Sequence, residues 1–105
     1  MTAKETMQLA IDSYGRVNQV IKTVEELSEL SQALCKILTS KFTDDNSEIF
    51  ENIFEEMADV EIMLEQCKIM FQCDKEVNKW KQKKIERLER RMGEDSDKLE
   101  RDNNG

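Results

Sequence analysis

Apolar residues recur along this chain at alternating intervals of four and three. Ile49, Ile53, Glu56, Val60, Met63, Cys67 and Met70 fall on one face of a helix turning about 100° per residue, which predicts a helix that reaches about Phe71. Upstream, Val17, Val20, Val24, Leu27, Ser31, Leu34 and Leu38 mark the seam of a second helix from about Arg16 to Ser40. Leu30, Ala33 and Ile37 add a further apolar edge to it, so this helix is expected to face two neighbours, one of them available to another subunit. A short first helix is expected from about Ala3 to Ser13, with Met7, Leu9, Ala10 and Ile11 as its apolar content and Gly15 ending it. Val77, Trp80, Ile85, Leu88 and Met92 trace a fourth helix, with Asp74 as its expected N-cap and Gly93 as its C-cap. Between the second and third helices, Thr43-Asp44-Asp45-Asn46-Ser47 is the clearest loop, and Asn46 or Ser47 is placed to cap the third helix.

These elements describe an all-α bundle of about four helices over residues 1–93. Residues 94–105, with Leu99 as the one large apolar residue, are expected to form a disordered acidic tail. The composition agrees: no proline, three glycines and 37% charged residues argue against a sheet. A chain of 105 residues supports one domain with a small core, so the core is expected to be completed by oligomerisation.

Three cysteines without a C-x-x-C pair, and no histidine, indicate neither a disulfide framework nor a zinc site. No apolar run approaches the roughly 18 residues of a membrane span and no signal-peptide core is visible, which together with reduced thiols predicts a cytoplasmic protein without membrane contact. A net charge of -7 opposes stable nucleic-acid binding. The charge is segregated, however. Glu25 through Glu65 is strongly acidic, whereas Lys75 through Arg91 is rich in lysine and arginine, a division suited to metal plus phosphate.

Glu56 is the informative exception in the third helix, since it stands where a hydrophobic residue belongs. An unpaired charge there is costly, so a buried carboxylate calls for a cation or several donors. Asp59 lies one turn further on, and Glu26 and Glu29 border the apolar seam of the second helix with the same spacing. Carboxylates one turn apart can reach the same hard cation, and two such helices facing each other complete a shell for Mg²⁺, or for Mn²⁺. The plainer reading is that glutamates of this kind solvate a surface; it suits Glu25, Glu55, Glu61 and Glu65. It fits Glu56 least well. Lys84 follows the four-three spacing of the last helix beside Leu88, from where its ammonium either reaches an acidic, metal-loaded pocket or snorkels to water. Arg87 is a weaker second basic candidate, and Trp80 is expected in the core rather than stacked on a base.

The pattern E-x-x-E, 26 residues, E-x-x-D, carried by Glu26, Glu29, Glu56 and Asp59 in the forms EELSEL and EEMADV, resembles the MazG-like all-alpha nucleoside triphosphate pyrophosphohydrolases. The resemblance spans about Arg16 to Met92. It implies a homodimer or homotetramer in which these four side chains hold Mg²⁺ against a nucleoside triphosphate and serve as the catalytic and metal residues. It also implies cleavage between the alpha and beta phosphates, giving a nucleoside monophosphate and pyrophosphate, with water as nucleophile. Lys84 and Arg87 loosely match the basic part of the family's last-helix motif and are expected to bind substrate, with Gln82 standing where asparagine is usual. The residue chemistry points the same way, because a chain without histidine has few means other than a metal to activate water near neutral pH; metal-bound water is then the natural nucleophile, and Glu26 is one candidate to accept its proton.

Related readings share the metal logic: a phosphoribosyl-ATP pyrophosphohydrolase, or a dimeric dUTPase or dCTPase. A different class is a noncatalytic acidic helical adaptor for a basic partner. A di-iron carboxylate bundle is excluded by the missing histidine ligands, and an EF-hand at Asp44-Asp45-Asn46 by the missing ligand alternation and glycine.

Overall fold

The computed structural model describes residues 1–40 and 45–104. It contains four helices, α1 (Ala3–Tyr14), α2 (Arg16–Thr39), α3 (Ser47–Phe71) and α4 (Asp74–Asn104), and no strand among the described residues. The all-α expectation holds. The chain forms two compact units, Met1–Gln72 and Cys73–Gly105.

Local signals explain the helix boundaries in the first unit. The Thr2 hydroxyl accepts a bond from Glu5 N at 3.1 Å and caps α1. Gly15 then adopts φ 90° and ψ 152°, a conformation essentially restricted to glycine. Its N–H donates to Ile11 O at 2.9 Å and its carbonyl accepts from Gln19 N at 3.1 Å, so one residue ends α1 and starts α2. At the start of α3 the side-chain bond comes from Asp45 rather than from Asn46 or Ser47, with Oδ1 accepting from Ser47 N at 3.1 Å. That backbone bond holds the Asp45 carboxyl below its ordinary pKa. Thr43 and Asp44, the beginning of the expected loop, lie outside the described residues. Gln72 takes a left-handed conformation, φ 51° and ψ 47°, and closes α3 with a bond from its N–H to Lys68 O.

α2 and α3 run antiparallel, as their cross-links show: Arg16 Nη2 donates to Met70 O at 2.7 Å, Gln19 Nε2 to Gln66 Oε1 at 2.7 Å, and Thr23 Oγ1 lies 3.4 Å from Cys67 Sγ. α1 packs against both. The α3 stripe is placed as its spacing requires, with Ile53, Val60, Met63 and Met70 buried and Ile49, Glu56 and Cys67 half-buried. The α2 seam needs correction. Val17, Val24 and Leu38 are 74%, 59% and 79% exposed, and the buried line is instead Gln19, Thr23, Glu26 and Ala33, continued by half-buried Leu30 and Ile37. The helix is thus rotated by about one residue, roughly 100°, from the face with most apolar positions. Hydrogen bonds across the helix pair compensate Gln19 and Thr23 among the polar residues that this rotation buries, whereas Glu26 has none.

In the second unit, α4 starts with Val77 N bonded to Cys73 O at 2.9 Å, so Cys73 rather than Asp74 occupies the capping position. α4 also continues through Gly93 to Asn104, which corrects both the expected C-cap and the expected disordered tail. A single interior glycine costs only about 1 kcal/mol, and Glu94 before Lys98 and Asp97 before Arg101 have the favourable i, i+4 order. Trp80 is exposed rather than in a core, with Lys83 Nζ 5.2 Å from its ring centroid.

The two glycines are expected to respond oppositely to alanine. No atom lies within 4 Å of a Cβ added at Gly15 or at Gly93, so neither change meets a clash. Gly15→Ala should lower stability by about 1–3 kcal/mol through backbone strain alone, and Gly93→Ala should raise it by up to about 1 kcal/mol. Urea unfolding followed by circular dichroism measures both; a neutral Gly15→Ala would contradict the strained corner.

A candidate divalent-cation site between α2 and α3

Helix geometry brings Glu26 and Glu29 to one side of α2, one turn apart, and the antiparallel pairing sets them opposite Glu56 of α3. One carboxylate oxygen from each of Glu26, Glu29 and Glu56 lies within 4.8 Å of the others. The three differ in burial. Glu26 is 5% exposed, Glu56 is half-buried and Glu29 is exposed, so the cluster has a closed side and an open one.

Partners are unequally distributed within it. Lys22 Nζ stands 3.0 Å from Glu26 Oε1, and this carboxylate is the main reason the Lys22 pKa is raised. Oε2 of Glu26 and Oε2 of Glu56 are shielded from solvent and accept no hydrogen bond. The negative charge of Glu26, followed by partial desolvation, a side-chain hydrogen bond with Glu26, and then the charge of and a side-chain hydrogen bond with Glu56, pushes the Glu29 carboxyl above its ordinary pKa. Lys22 answers only Oε1 of Glu26, so the buried Oε2 atoms of Glu26 and Glu56 stay without a hydrogen-bond partner, an arrangement that a cation relieves.

The donor set suits a hard ion. Oxygens on opposite sides of Mg²⁺ are separated by about 4 Å and those around Ca²⁺ by about 5 Å, so the observed spread needs only small side-chain adjustments to close on Mg²⁺. Asp59, the fourth expected ligand, is exposed and stands outside this group of three. Lys84 and Arg87 are exposed residues of α4, three positions apart. Sequence reasoning passed over Lys22, although its i, i+4 spacing to Glu26 was visible, and it passed over the polar ladder of Gln19, Thr23 and Gln66, which no periodicity of apolar residues reveals. Comparison of the chain with protein-family models, curated proteins and solved structures finds no match in any of the three.

The crowding of charge has a measurable sign. With its pKa raised above the ordinary 4.5, Glu29 holds its proton more tightly in the folded than in the unfolded chain. Its contribution to stability is therefore fully present below that value and is lost as pH rises through the folded-state pKa. Without divalent ions, Glu29→Gln should gain on wild type across this rise. Mn²⁺ at a hundred times its Kd should stabilise wild type by about 2.7 kcal/mol and leave Glu56→Gln nearly unmoved. Thermal melts with chelator and with Mn²⁺ test both statements, and an identical Mn²⁺ response in the two proteins would count against the cluster as the binding site.

Proposed function

We propose that this chain is a divalent-cation-dependent nucleoside triphosphate pyrophosphohydrolase of the MazG-like type, working with Mg²⁺ or Mn²⁺. The observation that carries the reading is Glu26: a carboxylate 5% exposed, with one oxygen unpartnered, in a group with Glu29 and Glu56. Glutamates that merely solvate a helix surface do not bury an oxygen without a donor.

In this reading Glu26, Glu29 and Glu56 would hold the ion, with Asp59, one turn after Glu56 on α3, as the fourth ligand that the motif resemblance implies. When bound, the ion supplies neutralisation of phosphate oxygens and activation of water near neutral pH. Glu26 remains a candidate proton acceptor. The bond assignment comes from the motif resemblance: water adds to the alpha phosphorus, the bond to the beta-phosphate oxygen breaks, and a nucleoside monophosphate and pyrophosphate leave. Lys84 and Arg87 enter from the same resemblance as phosphate contacts.

A homo-oligomer belongs to the same proposal. The α2 line Val17, Val20, Val24, Leu27, Leu34 and Leu38 is exposed, and a continuous apolar face of this length is a common mark of a subunit interface. A second copy of the chain is its natural cover, because the described residues contain no large side chain that is fully buried, so the core is left thin. Among the described residues, no helix is long and apolar enough to cross a membrane.

Pyrophosphate release from a panel of canonical and modified nucleoside triphosphates, run with Mg²⁺ and with chelator, tests the activity. Glu56→Gln should lose at least about a hundredfold in turnover, the scale of removing one electrostatic stabiliser of a transition state. Products of diphosphate and orthophosphate would overturn the bond assignment. Selective turnover of phosphoribosyl-ATP, dUTP or dCTP would point to the related enzymes, and Mn²⁺ binding without turnover of any triphosphate would leave only the cation site. Sedimentation of wild type beside Val24→Asp reads the assembly, with the expected outcome a dimer or larger species that the aspartate dissociates.

A further inference from the structure

Lys22 lies one turn before Glu26 and is outside the acidic motif. Its ammonium is 3.0 Å from Glu26 Oε1, while Oε2 of the same carboxylate is shielded and unpartnered. The two oxygens are thereby distinguished: one is engaged by a half-exposed lysine and the other is left free, on a carboxylate grouped with Glu29 and Glu56. We propose that Lys22 is a positioning residue of the divalent-cation site, holding Oε1 of Glu26 so that Oε2 is the oxygen offered to the ion. The inference rests on the cation-binding reading above and extends it beyond the four motif residues.

An ordinary surface pair accounts poorly for this contact. On an exposed helix the stabilising order is Glu before Lys, and Lys22 before Glu26 is the reverse. The side chains are also unequally buried, 50% exposed for Lys22 and 7% for Glu26, so the pair engages a nearly buried carboxylate from the solvent side. Without Lys22 the Glu26 carboxylate would lose its one ion pair among the described residues. A ligand oriented by a neighbour binds metal more tightly than one free to rotate.

Positioning and simple electrostatics predict opposite signs. A positive charge beside a cation site repels the cation, so on charge alone removing Lys22 should tighten binding. Positioning requires that removal loosen it. Mn²⁺ affinity of the full chain, read from the paramagnetic resonance signal of free Mn²⁺ at fixed pH and ionic strength, separates the two. Lys22→Met should bind Mn²⁺ about tenfold more weakly, the lower end of the effect of removing a ligand's hydrogen-bond partner. Lys22→Arg, which keeps a charged donor, should recover most of that loss, with the helical content of the metal-free proteins alike. Should Lys22→Met not fold, Lys22→Gln is expected to show the same weakening. Affinity equal to or greater than wild type in the uncharged variant would overturn the inference while leaving the cation site standing. A wild-type chain that fails to bind Mn²⁺ at millimolar concentration would overturn both.

Discussion

The α2–α3 interface buries polar groups that are answered partly from the opposite helix, and the candidate site lies where the cross-helix answers stop. At one end Arg16 reaches Met70 O, Gln19 meets Gln66 and Thr23 meets Cys67. Each such bond contributes about 0.5–1.5 kcal/mol net, but a buried group left without its partner costs about 1–3 kcal/mol and more when charged. Further along the same line stand Glu26 and Glu56, each with an oxygen that no donor reaches. The ladder that fixes the pairing of the helices therefore also fixes three carboxylates against one another.

This arrangement sets function against stability within a thin core. The buried apolar residues are Ile11, Ala33, Ile53, Val60, Met63 and Met70, and they share their interface with Gln19, Thr23, Glu26 and Gln66. Replacing the polar members with well-packed hydrophobic residues would often be neutral or stabilising in such a position. Of these, Gln19, Thr23 and Gln66 are answered by hydrogen bonds, and Glu26 is the one that the proposed cation site would account for. Lys22 moderates the cost at Glu26 from the solvent side through Oε1 and leaves the shielded Oε2 without a partner.

Much of the helical framework was legible one residue at a time. Gly15 ends α1, and the regular stripe from Ile49 to Met70 marks both the existence and the buried face of α3. Glu56 was conspicuous because a charge interrupts that stripe. α4 was misjudged at its end, where a glycine and a low apolar content outweighed the i, i+4 charge pairs that support a helix. α2 was misjudged in rotation, since counting apolar positions favours Val17, Val24 and Leu38 over Gln19, Thr23 and Glu26. The motif spacing also suggested four carboxylates at the interhelical boundary, and of these Asp59 is exposed and outside the group formed by the other three.

By itself the amino-acid order determined that the described chain would be helical, about where each helix begins, and that acidic pairs would recur one turn apart on two of them. These are local properties, set by backbone sterics, capping and side-chain periodicity within a few residues. Tertiary structure alone decided which face of α2 turns toward α3, and hence that Glu26 is buried, that Lys22 engages one of its oxygens and that its carboxylate is grouped with Glu29 and Glu56. The physical reason is that a polar residue's suitability for burial depends on the partner across the interface, and Gln66 and Cys67 lie more than forty residues from the groups they meet.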